Sequence, residues 1–232
     1  YQAIIMIKMY DLVGADENGR FSPYCWRIRL ALAHKGQDVE YIPWRFTEKD
    51  KIKFSGQERV PVLIDGNKTV SDSWEIAKYL ENEYPDPPSL KLEHGEVLFI
   101  KFWAETVLHP EMLQLVVLDI HNNLRPEDQS YFRESREKML GGPLEEVVAN
   151  RQDRLPRLHK LLNPLRSTLS KQEYLSGETP GFSDYIVFGA FQWARCISAF
   201  SLLNADDIIY SWREKILNMH DGLALSAVGY PV

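Results

Sequence analysis

The dipeptide Ser22-Pro23 is the stretch of this chain whose residue types and spacing point most clearly to chemistry. It stands between a polar loop and an apolar helical pattern that runs to Gly36, so Ser22 is predicted to be the N-cap of a helix and Pro23 its first residue. The hydroxyl would then lie where unpaired N–H groups and the positive end of the helix dipole face solvent. Such a place stabilises an anion, although Ser22 taken alone is better explained as an ordinary N-cap.

Two other reactive side chains are weaker candidates. Cys25 is interpreted as a small buried residue, with a redox role as the lesser alternative, because no second cysteine stands near it. Tyr10 is the nearest rival of Ser22, but a tyrosine on a strand usually serves packing.

Composition bounds the class of protein. The 232 residues are 44% hydrophobic and 12% aromatic, which is typical of a globular chain with one large or two modest domains. The net charge of −6 disfavours a nucleic-acid or anionic-membrane partner. The two cysteines, Cys25 and Cys196, lack metal-type spacing, so neither a metal site nor a disulfide framework is expected and a reducing, cytoplasmic location is favoured.

The elements that must position Ser22 form a mixed α/β pattern in the first third of the chain. A β-α-β unit is followed by a β-β-α unit, which is the thioredoxin-like order. The predicted strands are 4–12, 39–44, 60–64 and 68–71, and the predicted helices are 22–35 and a second one that Asp72 caps, with Glu75 completing a capping box.

The proline-rich stretch 85–89 is the best candidate for a domain boundary, and beyond it only helices are convincing. We expect a first domain at 1–86, a linker at 87–94 and an all-helical domain at 95–232. The predicted helical segments are 97–119, 126–140, 144–169, 185–203 and 206–219. Pro110 should kink the first, Pro156 and Pro164 should disturb the third, which holds one or two helices, and the fourth is a buried helix.

These motifs together resemble those of one family. Ser22-Pro23-Tyr24-Cys25 resembles the Cys-Pro-Tyr-Cys of glutaredoxins with Ser in the first place, and Val60-Pro61, Asp72-Ser73 and the helical second half complete the likeness to the cytosolic glutathione transferases. Stretches 22–36 and 179–189 most resemble the fungal Ser-type FuA class, which is related to bacterial lignin β-etherases. The resemblance implies the fold of that superfamily, with an α+β thioredoxin-like domain before an all-helical one.

The resemblance also implies a glutathione site. Ser22 would stabilise the thiolate of bound glutathione, which is the nucleophile. Val60 would pair its backbone with the cysteinyl part beside a cis Pro61, and Asp72 and Ser73 would hold the γ-glutamyl end. Arg59 fits the glycyl carboxylate best, ahead of Lys49 and Lys51. Residue types alone leave simpler readings: a strand-start proline, an N-cap at Asp72, and solvated charges.

The helical domain would supply the electrophile pocket. Its candidate lining residues are His109, Glu111, Met112 and Leu115, with Phe21, Tyr24 and Trp44 at the rim. An aromatic rim suits small hydrophobic, planar electrophiles. In the loop before the buried helix, Asp184 corresponds to the family's capping acid, whereas Gly181 replaces its usual Ser or Thr. That motif concerns folding, and the family further implies a homodimer.

Several functions remain open at this point. The leading one is conjugation of glutathione to isothiocyanates, aryl halides or similar electrophiles, with hydroperoxide reduction as a further activity. Glutathione-dependent cleavage of β-aryl ethers is the nearest enzymatic alternative. A carrier of aromatic phenolics would bind ligands with little conjugation, and a degenerate assembly protein would bind no glutathione.

Overall fold

The computed structural model describes residues 6–232, so Ile4 and Ile5 of the first predicted strand lie outside the described residues. Regular structure begins with a strand-helix-strand unit and ends in helices alone. In chain order the elements are β1 (Ile7–Leu12), α1 (Pro23–His34), β2 (Val39–Trp44), β3 (Val62–Asp65), β4 (Lys68–Ser71), α2 (Ser73–Glu83), α3 (Glu96–Trp103), α4 (His109–Asn122), α5 (Pro126–Leu140), α6 (Leu144–Val148), α7 (Arg151–Leu161), α8 (Asn163–Leu169), α9 (Phe182–Ile197) and α10 (Ile208–Gly222).

The four strands form one mixed sheet in the order β2-β1-β3-β4. β1 runs parallel to β2, with Ile7 opposite Val39, and α1 makes the crossover between them. β3 is antiparallel to both β1 and β4. The sheet and the helices after it confirm the expected thioredoxin-like and all-helical halves, whereas the domain limits at 86 and 95 stay a prediction. β3 starts two residues later than expected, because Pro61 has no N–H to give to the ladder.

The long helical pattern before residue 122 is interrupted close to Pro110, as predicted. α3 ends at Trp103, a π-helical segment covers 104–108, and Pro110 lies in the first turn of α4. Proline cannot donate to the carbonyl four residues earlier and its ring presses on that carbonyl, so a wider turn before it relieves both problems.

Three other helical boundaries differ from the predictions. The region 144–169 holds three helices, with breaks at 149–150 and at Leu162, while Pro156 lies inside α7. The buried helix ends at Ile197 instead of residue 203, because Ser198 turns to extended backbone. The last helix starts at Ile208 under the N-cap Asp207 and continues to Gly222 through a kink at 219–221.

Helix α9 is the centre of the molecule, since all of its side chains are buried and it packs along α1. Gly189 allows this close approach, because a Cβ added there would lie 2.6 Å from the backbone oxygen of Pro23. The residue that starts α1 is thus held by a backbone contact from the second half of the chain.

Replacing Gly189 with alanine should therefore lower the free energy of unfolding, by about 1–3 kcal/mol, since the backbone oxygen cannot yield as a side chain would. Urea unfolding followed by far-ultraviolet circular dichroism measures the effect. Gly95→Ala is the matched control, because its added methyl group would meet nothing within 4 Å. Equal midpoints for the two variants would contradict the assigned contact.

A buried hydrogen-bonded cluster also joins the two halves. His34 Nε2 lies 3.0 Å from the carbonyl oxygen of Ser89, which can only accept, so that nitrogen carries the proton. Nδ1 then accepts from the Tyr185 hydroxyl at 2.6 Å, and the Tyr185 oxygen is 3.3 Å from His220 Nε2. Burial lowers the pKa of His34 to about 4, so the ring is neutral at pH 7.

This cluster should make the protein acid-sensitive above the range where carboxylates titrate. In the unfolded chain His34 has a pKa near 6.5. Between pH 6.5 and about 4 the unfolded state therefore binds more protons than the folded state, so the free energy of unfolding decreases as the pH is lowered. A shift of that size corresponds to roughly 3 kcal/mol at its full extent. Urea unfolding from pH 7 to pH 4 should show a shallower loss for His34→Gln than for wild type, and parallel losses would contradict the assignment.

Candidate active site

Ser22 caps α1 as expected, and the capping leaves its proton unused. Its backbone is extended (φ −74°, ψ 124°), and Oγ accepts the N–H of Cys25 at 3.1 Å. The side chain is only 4% exposed. A hydroxyl has one proton and two lone pairs, and within residues 6–232 Ser22 Oγ donates no hydrogen bond to an oxygen or nitrogen atom; the Cys25 thiol beside it is a weak acceptor. Capping and donation to an incoming group are therefore compatible.

The electrostatics at the start of α1 favour a negative charge. The first turn holds no acidic residue, so nothing on the helix itself cancels the positive end of the dipole. Cys25 does not compete for the nucleophile's role, because it is fully buried. Burial first, and then the nearby Asp11 carboxylate, raise the pKa of its thiol well above the usual value.

The segment before β3 presents free backbone groups. The peptide bond between Val60 and Pro61 is cis. The described residues provide no backbone hydrogen-bond partner for Val60. Beside it, Arg59 is exposed, whereas the two lysine candidates are engaged in surface ion pairs: Lys49 with Glu58 at 3.0 Å and Lys51 with Glu48 at 3.0 Å. Arg59 is thus the cation of the three that is left for a ligand.

The start of α2 offers a second polar group. Asp72 is its N-cap, with φ +70°, and Oδ1 accepts the N–H groups of Trp74 at 2.9 Å and Glu75 at 3.3 Å. Only half of the expected capping box forms, because the Glu75 carboxylate pairs with Lys78. Ser73 is 3% exposed, and its hydroxyl makes no hydrogen bond with a described residue.

Tyr24 lies near charged groups of all three segments. Burial raises the pKa of its phenol, and the charges that act on that pKa include those of Arg27, Arg59 and Asp72. Since Tyr24 follows Ser22 by two residues, the start of α1, the start of α2 and the segment before β3 are neighbours, and the space beside the exposed Tyr24 ring is called the cleft below.

Of the seven predicted pocket residues, Tyr24 and His109 lie at this cleft and the other five do not. Tyr24 is 37% exposed, and its ring stands edge-on to that of His109 with centroids 5.4 Å apart. Phe21 and Met112 are instead buried in the core, at 2% and 0% exposure, so the expectation that they present surface to a ligand is wrong. Phe21 packs on Phe46, which is a consequence of the closed loop that precedes Ser22.

The remaining pocket candidates are also packing residues. Leu115 and Trp44 are buried in the core, and the Glu111 carboxylate lies 3.3 Å from Arg154 and 3.0 Å from Arg157. Tyr10 lies against Phe54, with ring centroids 5.7 Å apart, which agrees with a packing role.

Arg27 is a charged member of the cleft wall that sequence reasoning missed. It is fully buried, and Nη1 donates to Glu105 Oε1 at 2.9 Å, while Nε and Nη2 are buried with no partner among the described residues. Its guanidinium lies 4.8 Å from the ring centre of Tyr24. The available signal was its position three residues after Tyr24, which puts both on one helix face.

His109 stands opposite this arginine. Burial first, and then the charge of Arg27, lower its pKa to about 3, so the ring is neutral at pH 7. Its Nε2 is buried and has no partner within the described range. Glu105 lies in the π-helical segment directly before α4, so the irregular turn positions both the ion pair and the imidazole.

Two clefts lie elsewhere, on the helical half. One of about 540 Å³ is bordered by α7, α8 and the start of α10, and one of about 560 Å³ by α4, α7 and the turn after α9. No predicted site residue lines either of them. Within residues 6–232 there is no group of three or more His, Cys, Asp or Glu side chains that could hold a metal ion, and no helix there is long and apolar enough to cross a membrane.

Comparison with known proteins gives the same family for both halves. The family model described as glutathione S-transferase, N-terminal domain, matches residues 19–88, and the one described as glutathione S-transferase, C-terminal domain, matches residues 96–213. Glutathione S-transferase Z1 of Arabidopsis thaliana is 42% identical over 69 residues, which are 28% of this chain and 31% of that protein. The chain thus matches about a third of the length of the first curated relatives.

Solved structures match over nearly the whole chain. Glutathione transferase GSTFuA3 from Phanerochaete chrysosporium has a TM-score of 0.82 at 25% identity, covering 92% of this chain and 97% of that one. CsGST83044 of Ceriporiopsis subvermispora, solved in complex with glutathione, has a TM-score of 0.74 at 25% identity and covers 95% of each chain. Both halves, in this order and with this fold, place the chain in the glutathione S-transferase family.

Proposed function

We propose that this protein is a Ser-type glutathione transferase in which the Ser22 hydroxyl donates a hydrogen bond to the thiolate of bound glutathione. The observation that carries the proposal is the unused proton of Ser22 at the positive end of α1. In this account Ser22 forms no covalent bond, and the sulfur of the co-substrate is the nucleophile.

The magnitudes are sufficient for this role. A free thiol of the cysteine type has a pKa near 8.5, so only a few per cent is thiolate at pH 7. A hydrogen bond to a charged group contributes about 1.5–3 kcal/mol, and 1.36 kcal/mol is one pKa unit. The hydroxyl alone would therefore lower the pKa of the thiol by about one to two units, with a further share from the helix dipole.

Glutathione would lie along the cleft that starts at Ser22. Val60, beside Pro61, would pair its free backbone groups with the cysteinyl part, while the Asp72 carboxylate and the Ser73 hydroxyl would hold the amine and carboxylate of the γ-glutamyl end. Arg59 would bind the glycyl carboxylate. These assignments are supported by the free backbone groups of Val60 and by the engaged state of Lys49 and Lys51.

The electrophile would enter beside the exposed Tyr24 ring, which packs edge-on against His109. The sulfur forms a bond to the electrophilic carbon, and the leaving group departs with its bonding electron pair or, in an addition, the pair moves onto the acceptor. The exposed Tyr24 ring and the neutral His109 suit a small aromatic or otherwise hydrophobic electrophile. The structural likeness to a FuA-class enzyme at 25% identity supports the proposal that this protein belongs to that class. We propose β-aryl ether cleavage and hydroperoxide reduction as further activities.

A second candidate function is the binding of aromatic phenolics with little conjugation. One observation favours it: the cleft of about 560 Å³ lies apart from Ser22 and has Phe200 and Tyr230 among its lining residues. Such binding would be compatible with transferase activity.

We also propose that the protein is a homodimer. Leu98, Phe99 and Phe102 expose 47%, 73% and 55% of their surface along one side of α3. Apolar side chains so exposed and so close together are typical of an association surface. Sedimentation equilibrium should give twice the chain mass of 26.9 kDa, and a mass of one chain would contradict the proposal.

The test of the main proposal combines binding and turnover. Calorimetric titration with glutathione should show saturable binding, and a panel of isothiocyanates, aryl halides, aryl ethers and hydroperoxides should then give glutathione-dependent turnover for at least one class. Binding of phenolics and glutathione without turnover would favour the carrier function. No binding of glutathione would refute the transferase proposal.

A further inference from the structure

Outside the predicted site, helix α5 is docked onto the first domain along one face. Asp128 is 1% exposed, and its Oδ1 accepts both the N–H of Thr47 at 3.0 Å and its hydroxyl at 2.9 Å. Phe132, one turn further, is also buried and packs on Phe46 with ring centroids 5.7 Å apart. The position of α5 over the loop after β2 is therefore fixed by polar and apolar contacts.

Arg136 lies on the same face of α5, one turn before the helix ends at Leu140. Arg136 follows Asp128 and Phe132 at a spacing of four residues, so all three side chains point towards the first domain. Its guanidinium lies 4.7 Å from the ring centre of Phe132 and 5.8 Å from that of Phe46. Phe46 in turn contacts Phe21, which directly precedes Ser22.

This arginine has no acidic partner in the part of the chain that the structure describes. Its side chain makes one hydrogen bond, from Nη1 to Ser135 Oγ at 2.9 Å. Burial lowers its pKa, the Tyr131 phenol opposes that effect, and the charge of Arg59 lowers the pKa further. An arginine stays charged under these conditions, so Arg136 is a half-buried cation within electrostatic range of a second one.

Arg59 lies on a loop that contacts α5. Its neighbour Glu58 is 3.0 Å from Lys49, and the Lys49 ammonium lies 5.4 Å from the ring centre of Tyr131 on α5. These contacts bring the loop that carries Arg59 against the helix that carries Arg136. Unlike Arg59 and Arg136, the other two arginines of this region are paired: Arg125 with Asp128, and Arg133 with Glu137 and Glu145.

A carboxylate that lies between two guanidinium groups is attracted by both charges. Planar guanidinium forks match the two oxygens of a carboxylate. We propose that Arg59 and Arg136 form a carboxylate clamp that joins the two domains across the substrate cleft. The clamp rests on the proposed function, because its ligand is the carboxylate of a bound substrate: the glycyl end of glutathione or an acidic group on the electrophile.

The experiment compares wild type, Arg136→Gln, Arg136→Lys and Lys138→Gln. Lys138 lies two residues further on α5 and is exposed, so its variant removes the same charge from the same helix without touching the clamp. Each protein is titrated with glutathione and with glutathione whose glycyl carboxylate is converted to an amide. Each is then assayed with 1-chloro-2,4-dinitrobenzene and with its acidic analogue 4-chloro-3-nitrobenzoate.

If the clamp takes the glycyl carboxylate, Arg136→Gln should weaken glutathione binding about tenfold and leave binding of the amide unchanged, with partial recovery in Arg136→Lys. If it takes the electrophile's carboxylate, both glutathione ligands should bind as in wild type, and KM should rise about tenfold for the benzoate alone. Either pattern supports the clamp and identifies the source of the anion.

Identical behaviour of Arg136→Gln and Lys138→Gln with all four compounds would overturn the clamp alone, given wild type that binds glutathione. Wild type that binds neither glutathione nor its amide would refute the proposed function and the clamp together. Hydrogen exchange gives a second readout, because ligand binding should slow exchange along α5 in wild type and not in Arg136→Gln.

Discussion

Replacing Ser22 with alanine should raise the pKa of the bound glutathione thiol by about one to two units and reduce turnover at pH 7 by about tenfold or more. The reason is the loss of the hydroxyl that lies at the N-cap of α1 and accepts, without donating, in the capping hydrogen bond. The pH dependence of kcat/KM for an aryl halide measures it, and the variant's profile should move to higher pH.

The same serine caps a helix, so chemistry must be separated from stability. Alanine at an N-cap costs about 1 kcal/mol of stability, whereas glycine costs only a few tenths. Ser22→Gly should therefore lose activity as Ser22→Ala does while it keeps most of the stability, and Ser22→Thr should recover both. An unchanged pH profile in Ser22→Gly would refute the assigned role of the hydroxyl.

The largest expected effect on stability belongs to Asp184. Its carboxylate is fully buried and accepts four hydrogen bonds, from the backbone N–H groups of Leu175, Ser176 and Gly181 and from the indole of Trp212. Asp184→Ala would leave all four donors unpaired, and each unpaired buried donor costs about 1–3 kcal/mol. We expect the free energy of unfolding to fall by about 4 kcal/mol or more, measured by urea unfolding.

Asp72→Ala provides the comparison for that prediction. Asp72 also accepts backbone N–H groups at a helix start, but its two hydrogen bonds are exposed, so water replaces the lost oxygen and the cost should be about 1 kcal/mol. Equal losses in the two variants would contradict the idea that burial of the donors sets the effect at Asp184.

The local elements were predictable because their signals are local. The Ser-Pro start of α1 and the cap at Asp72 each depend on neighbouring residues. Gly181 supplies no capping side chain, and Asp184 nevertheless binds the loop backbone, because its partners are N–H groups that any residue carries.

The residues that sequence reasoning missed or misplaced depend on contacts between distant segments. From its helical pattern Arg27 would be predicted to be a surface charge. It is fully buried because it forms an ion pair with Glu105, which is 78 residues away in the sequence. Phe21 reads as a rim residue, but Phe46 covers it. The position of Arg136 beside the first domain depends on the hydrogen bond from Thr47 to Asp128, which docks α5 there.

The central claim is that the alcohol at the head of α1 keeps the sulfur of glutathione ionised near neutral pH. Its most direct test is the ultraviolet absorbance of the thiolate, recorded against pH in the wild-type complex with glutathione. The account predicts a midpoint about one to two units below the value near 8.5 of a free thiol. A midpoint at or above that of the free thiol, at saturating glutathione, would contradict it.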